Sequence, residues 1–356
     1  MPKFISVNSF EVLISSFIIN ERVWCWGDVA GRRRGALLND SAQPCPTVVP
    51  AVDDVVQIAT GPVGSCALHA DGTVTCWGDN EYGQVGRGFT GAPEGPAALE
   101  NLSDVVQLVA GDHHFCALEG DGSVSCWGDN SWGQLGDGTT VLRARPTAVP
   151  GLAEVRELSG SGGHTCAIQR SGRMLCWGRA SSGQLGDGRS ITTRNPGLVP
   201  RTERATWLSS GNDFLCTAIN NTQVRCWGSN EAGMLGSGNY SPSSIALQVG
   251  GALLGGSNED LFVGASAERA CSSKPIGQLS GVVCWGDNPM PSGDENNPIS
   301  RVEGTAWNDA EGFAGGDNFG CIKRGGQLFC WGTGARGRLG TGNSLDRQAP
   351  TVVVGL

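Results

Sequence analysis

The chain is poor in the groups that most catalysis and metal binding draw on. Its 356 residues include four histidines, two tyrosines and four methionines, and aromatic residues make up 6% of it. No Cys-x-x-Cys pair or mixed Cys/His cluster is present, so no metal site is expected. Gly-x-x-x-x-Gly-Lys-Ser/Thr, Gly-x-Ser-x-Gly and His-Glu-x-x-His are also missing, which removes the common phosphate-loop, serine-hydrolase and zinc-protease signatures. No cofactor is expected. No run of 18 apolar residues exists, and a membrane-spanning helix is excluded with it.

A basic excess is lacking too. Lys and Arg number 25 against 34 Asp and Glu, a net charge of −9. Nucleic-acid binding rests on phosphate neutralisation, so nucleic acid is not the expected partner. Arg32-Arg33-Arg34 is the one basic run and reads as a solvated loop. Helical periodicity does not appear over any ten-residue stretch, and 56 glycines suit turns better than helices. The chain reads as all-β.

What is present is a repeat. Cys-Trp-Gly begins at Cys25, Cys76, Cys126, Cys176, Cys226, Cys284 and Cys330, at spacings of 51, 50, 50, 50, 58 and 46 residues. We number these copies one to seven. Residues 105–150 show the unit most clearly: a β-branched run, two apolar segments flanking Asp121-Gly122, a Gly- and Asn-rich loop, and a further extended segment. One such sheet carries apolar residues on both faces and must stack on its neighbours to bury them. Residues 1–356 therefore predict one domain, a seven-bladed β-propeller with four-stranded antiparallel blades. The chain opens inside a repeat, and Thr351-Val352-Val353-Val354 looks like the segment that precedes that point in other copies. The N- and C-terminal strands are thus expected to share one blade and close the ring.

Twelve of the 14 cysteines fall into six pairs: Cys66/Cys76, Cys116/Cys126, Cys166/Cys176, Cys216/Cys226, Cys271/Cys284 and Cys321/Cys330. In a hairpin, residues whose numbers sum to a constant face each other. Cys66 opposes Cys76 if Ala70-Asp71-Gly72 is the loop, and Cys321 opposes Cys330 across a Gly325-Gly326 turn. Directly opposed residues lie about 4.5 Å apart at Cα, close enough for a disulfide. Buried free thiols are the alternative. Disulfides on this scale imply an oxidising compartment: extracellular, periplasmic or cell-surface, with the cytoplasm as the alternative. Met1–Asn20 lacks the pattern of an export signal and fits the repeat instead, as a chain missing an upstream segment would. Pairing of Cys25 with Cys45 stays open.

The fragments EGDGSVSCWGDNSWGQLGDG and QRSGRMLCWGRASSGQLGDG, with their counterparts at residues 69–88 and 219–238, resemble the regulator of chromosome condensation repeat family in its Cys-rich bacterial form. The resemblance covers essentially the whole chain and implies the propeller. It also implies a scaffold reused for several purposes, among them guanine-nucleotide exchange on a small GTPase. Copies one and six depart from the pattern. Copy one has Phe10-Glu11-Val12-Leu13 in place of Gly and His, with Ser15 in place of the first cysteine; copy six reads Asn288-Pro289-Met290-Pro291-Ser292-Gly293 where Gly-Gln-Leu-Gly is expected, after a Gly-rich approach at Gly250–Ser257.

Candidate site residues are few. His113, His114 and His164, with Phe115, occupy the loop before the first cysteine of a hairpin, a loop that recurs in every copy and should ring one face or the channel mouth. Backbone hydrogen bonding between blades is the plain reading of these histidines, and His69 lies inside a strand. The motif tryptophans read as inter-blade packing. Trp132, and Tyr82 in the equivalent place, sit in an exposed-looking loop and could anchor a partner. Gly332-Thr333-Gly334-Ala335-Arg336-Gly337 matches a dinucleotide fingerprint but opens no helix and is rejected. The expected function is non-enzymatic binding of a protein, or of a glycan, by a monomeric exported scaffold. The alternatives are the exchange-factor reading and, third, a lyase or hydrolase at the ring mouth.

Overall fold

A computed structural model describes residues 6–7, 14–19, 21–27, 43–220, 222–249, 263–265, 269–272, 283–286, 299–301, 312–316 and 319–354. Copy three shows how the repeat folds. Strands Val105–Ala110, His114–Glu119, Val124–Gly128 and Arg143–Ala148 form an antiparallel meander in chain order. The hairpin turns at Gly122, whose φ is 90°. Asp121 braces it by accepting the backbone N–H of Ser123 at 2.8 Å. The third strand is wholly buried and the second nearly so, whereas the fourth is only half covered. The apolar faces of the inner strands are therefore closed by neighbouring copies.

The first strands of copies two to seven touch their neighbours in succession: Val55–Thr60, Val105–Ala110, Val155–Ser161, Ala205–Ser210, Val263–Ala265 and Gly312–Gly316. Ser6–Val7 lies between the last and the first of these, in contact with Gly312–Gly316 and paired in parallel with Ala59–Thr60. Trp24 packs on the core of copy seven beside Cys321 and Cys330. The chain is all-β and winds around a ring.

Two expectations are corrected. Among the described residues six sheets, those of copies two to seven, have four strands in sequence, not seven; copy one forms a three-stranded sheet of Ile14–Ile19, Arg22–Gly27 and Gln43–Val48. Its missing first strand, Ser6–Val7, is taken up by the sheet of copy two. The C-terminal strand also stays at home. Arg347–Val352 pairs with Gln327–Gly332 in copy seven's own sheet, and Thr351 stands opposite Cys330 as Thr147 stands opposite Cys126. The terminal Thr-Val run is thus the end of a fourth strand. Its pairing is local, needing far less loop closure than a partner some 300 residues away in sequence.

Every predicted cysteine pair is a disulfide. The register is the expected one, with Cys66 opposite Cys76 at a Cα separation of 4.1 Å and Arg324 opposite Gln327 across the glycine turn. In copy one the pairing Ile19↔Arg22 makes the turn two residues long, so Ser16, and not Ser15, stands opposite Cys25. Cys25 is buried and lies opposite Thr47; the side chain of Cys45 lies outside the described residues, as do Phe10–Leu13, Arg32–Arg34, Gly250–Ser257 and Asn288–Gly293.

The Cys-Trp-Gly motif joins one copy to the next. Trp77, Trp127, Trp177, Trp227, Trp285 and Trp331 are all at most 1% exposed. Trp177 packs over the Cys116–Cys126 disulfide, and Trp127 and Trp227 do the same one copy back and one copy on. The indole Nε1 of Trp177 donates to the carbonyl of Gln134, in the Gly-Gln-Leu-Gly loop of the preceding copy, at 2.9 Å. The same bond recurs from Trp127 to Gln84 and from Trp227 to Gln184. The motif glycine marks a bulge: in copy three the register shifts between Cys126 and Gly128, whose φ is 103°, and a Cβ there would lie 2.3 Å from the carbonyl of His113.

Candidate functional site

In a four-stranded meander the loop between strands one and two lies at the same end as the loop between strands three and four. His113 and Trp132 therefore emerge at one end of the ring, and the hairpin turn at Gly122 at the other. From copy two to copy five, equivalent loops touch one another at that end. Tyr82 of copy two packs on His113 of copy three, with ring centroids 4.6 Å apart. Trp132 of copy three is 48% exposed and lies beneath the guanidinium of Arg179 from copy four, 5.7 Å from its ring centroid. Arg179 is held in turn by Asp213 of copy five, at 3.6 Å, and the same carboxylate oxygen accepts a hydrogen bond from Gln184 at 2.9 Å. Burial pushes the Asp213 carboxyl above its ordinary value.

Trp132 is thus a large apolar surface fixed in place by a chain of contacts through two further copies. The loop that carries it is rigid for reasons written in the repeat. Asn130 is fully buried, accepting from Leu135 N–H at 3.1 Å and donating to the carbonyl of Val141, while Gln134 accepts from the N–H of Trp132 at 2.9 Å. Beyond it, in the same loop of five copies, Phe89, Val141, Ile191, Tyr240 and Leu345 are 43–63% exposed.

The structure divides the sequence-derived candidates. Tyr82, His113 and Trp132 come together with Arg179 and Asp213 at the surface. His114, Phe115 and His164 do not join them; all three are buried between copies. They occupy two successive positions of the second strand, which mesh across the seams between copies two and three and between copies three and four. Gly64 leaves space that Phe115 fills, the ring lying 3.7 Å from where a Cβ of Gly64 would be. His114 meets Thr165, with Nε2 2.9 Å from the hydroxyl, and that hydroxyl donates to the carbonyl of Gln134. The imidazole is therefore the donor in the His114–Thr165 bond, which leaves its Nδ1 unprotonated. Desolvation pulls His114 down to about 4 and His164 to about 3, so both are neutral at ordinary pH. His69 is satisfied by the carbonyl of Asp53 and the hydroxyl of Thr75 at 2.8 Å each. It lines a shallow cavity of 290 Å³ at the opposite end, with Glu21, Asp54 and Asp71.

Arg179 and Asp213 were not legible as site residues, because their roles depend on the register between successive copies. A comparison of Trp132, Arg179 and Asp213 along the repeat would have offered only three dissimilar residues at different positions. Among the described residues no three His, Cys, Asp or Glu side chains are grouped to hold a metal ion, and no helix is long and apolar enough to cross a membrane.

A ring of antiparallel sheets joined by Trp–carbonyl bonds, with its surface site on one end, defines a repeat-built β-propeller. Family models described as the regulator of chromosome condensation (RCC1) repeat match residues 71–118, 121–168, 171–218 and 325–356 in one form and 55–84, 105–134 and 155–184 in another. The chain belongs to the RCC1 repeat family. Among solved structures it resembles yeast RCC1 (Prp20) bound to Kap60, with a TM-score of 0.78 at 18% identity over 96% of this chain and 85% of that one. Prp20p from Saccharomyces cerevisiae, described with its binding to Gsp1p and histones, gives 0.76 at 19% over 96% and 87%. Human WBSCR16 gives 0.61 at 20% over 98% and 83%. At these identities the likeness speaks for the fold. No curated protein matches the chain.

Proposed function

We propose that the protein is a non-enzymatic scaffold that binds a protein partner through the end of the ring carrying Tyr82, His113, Trp132 and Arg179. The observation behind this reading is Trp132: half exposed, yet pinned by Arg179 and, through it, by Asp213. A rigid exposed aromatic beside an arginine loses little freedom on binding and is the residue pair most often found at the energetic centre of protein interfaces. The apolar loop tips around it extend the contact surface. Catalysis by the buried histidines is disfavoured, because His114 and His164 are neutral and enclosed between copies.

Six disulfides suggest an oxidising environment, and we propose an exported or surface-exposed location on that ground. The second reading, exchange of guanine nucleotide on a small GTPase, draws on family membership and belongs to a reducing cytosol. Alkylation without reductant, followed by mass spectrometry, separates the two. Protection of the twelve paired cysteines supports the first reading; full alkylation of all of them would defeat it. The site is tested with immobilised wild-type ring against Trp132→Ala and Arg179→Ala. A genuine partner is retained by the wild type and loses about tenfold or more in affinity to each variant, as expected for a central aromatic or arginine. Equal retention by all three would remove Trp132 from the interface.

A further inference from the structure

The first strands of copies two and three are each clasped to the next by one side chain at a fixed position. In copy two the amide of Gln57 donates to the carbonyl of Leu108 and accepts the N–H of Leu108, both at 2.9 Å. Gln107 of copy three repeats the clasp on Leu158, donating at 3.0 Å and accepting at 2.9 Å. In copy four the position is Glu157. Its carboxylate accepts the N–H of Leu208 at 2.8 Å, the first half of the clasp. The second half needs a donor, and an ionised carboxylate has none.

We propose that Glu157 makes the seam between copies four and five a proton-sensitive joint, which tightens on acidification when its carboxyl acquires a hydrogen and completes the two-way clasp on Leu208. A protonated carboxyl has one O–H donor and one C=O acceptor side by side, the same pattern as the glutamine amide. Ionised, it offers the Leu208 carbonyl no donor.

The surroundings favour the protonated form. Burial raises the Glu157 carboxyl to about 7, against the opposing influence of the Leu208 N–H and of Arg156. Arg156, the charged neighbour, directs its guanidinium to the carbonyl of Ala205 on the facing strand. The strands packed on either side, Val105–Ala110 and Ala205–Ser210, contain no titratable residue, and on the second strand of its own sheet His164 is neutral. Because the folded-state value lies above the unfolded one, the folded ring binds the extra proton between about pH 4.5 and 7. Stability from this group is present at the acid end of that window and is lost as pH rises through it.

The test is hydrogen exchange of strand Ala205–Ser210, read by mass spectrometry on the intact disulfide-bonded protein at pH 5.5 and 8.5 after correction for intrinsic exchange. Relative to Glu157→Gln, the wild type should lose protection of this strand several-fold between the lower and the higher pH. Glu157→Gln keeps a donor for the Leu208 carbonyl at either pH, so its pH dependence reports only what the other groups, His114 and His164 among them, contribute. Gln107→Glu tests the same idea at a second seam and should confer a matching loss on Val155–Ser161. The same pH dependence in the wild type and in Glu157→Gln would overturn the proposal, as would a Gln107→Glu variant with no new pH dependence relative to the wild type.

Discussion

His114 donates its Nε2 hydrogen to the hydroxyl of Thr165 across the seam between copies three and four, at 2.9 Å. One copy later the same two positions hold His164 and Leu215. His164 is fully buried, and neither of its ring nitrogens has a hydrogen-bond partner among the described residues. A buried polar group left so costs about 1–3 kcal/mol. Leu215→Thr should supply the missing acceptor, with its own hydroxyl donating to the carbonyl of Gln184 as Thr165 donates to that of Gln134. We expect a gain of about 1 kcal/mol by guanidinium unfolding after subtracting lost burial. A loss equal to that of Leu215→Ala would mean the hydroxyl is not used.

The glycines of the Gly-Gln-Leu-Gly loop give a second prediction. Gly136 has a φ of 72°, and an added Cβ would sit 2.7 Å from the indole nitrogen of Trp177. Gly238 has a similar φ of 80° with nothing within 4 Å. Ala at Gly238 should cost about 1 kcal/mol, the backbone share alone. Ala at Gly136 should cost about 2 kcal/mol more, because the indole must move and weaken its bond to Gln134. Equal thermal shifts for the two variants would show that the Trp–loop contact yields freely.

How much of this was legible in the sequence follows from distance along the chain. The cysteine pairs lie ten or so residues apart in a hairpin whose turn residues are explicit, so Cys66 could be set opposite Cys76 by counting. The packing role of the motif tryptophans was equally open, since the motif and its loop recur together. What failed depended on pairing between distant segments. Nothing in Ser6–Val7 says that it will lie parallel to Ala59–Thr60 and leave the sheet of copy one with three strands. Thr351-Val352 resembles an opening strand until its pairing opposite Phe329 and Cys330 makes it a closing one. At the site, Trp132 and Tyr82 were found as repeated aromatics in a loop. Arg179 and Asp213 were not, because each reaches its partner from a neighbouring copy.

The disulfides invite a third experiment. Each closes a loop of about ten residues, which corresponds to about 3 kcal/mol of lost chain entropy in the unfolded state. Cys216→Ala with Cys226→Ala removes one staple from the cluster that also holds Trp285 and Phe214. The expected result is a lowered unfolding midpoint with the ring still folded, because the tryptophan bond from Trp285 to the carbonyl of Met234 does not depend on the disulfide. Complete unfolding of the double variant would instead give the staples a share beyond what seam packing can replace.

The histidines predict the acid limb of stability. His114 and His164 are held at about 4 and about 3 by burial, below the ordinary histidine value of 6.5. Unfolding returns both to that value, so below pH 6.5 the unfolded chain binds protons that the folded ring refuses. Their stabilising effect is complete above pH 6.5 and declines as pH falls towards the folded values, by roughly 1.4 kcal/mol per pH unit for each histidine. The sign is opposite to that of Glu157, so the measurement is cleanest with Glu157→Gln as the reference protein. In that background, unfolding free energy should drop between pH 6 and pH 4.5 with a slope near two protons. Adding His164→Leu should reduce the slope to about one. An unchanged slope would mean that His164 takes up its proton in the folded ring, which would place water or an anion within reach of a side chain that we describe as sealed between copies.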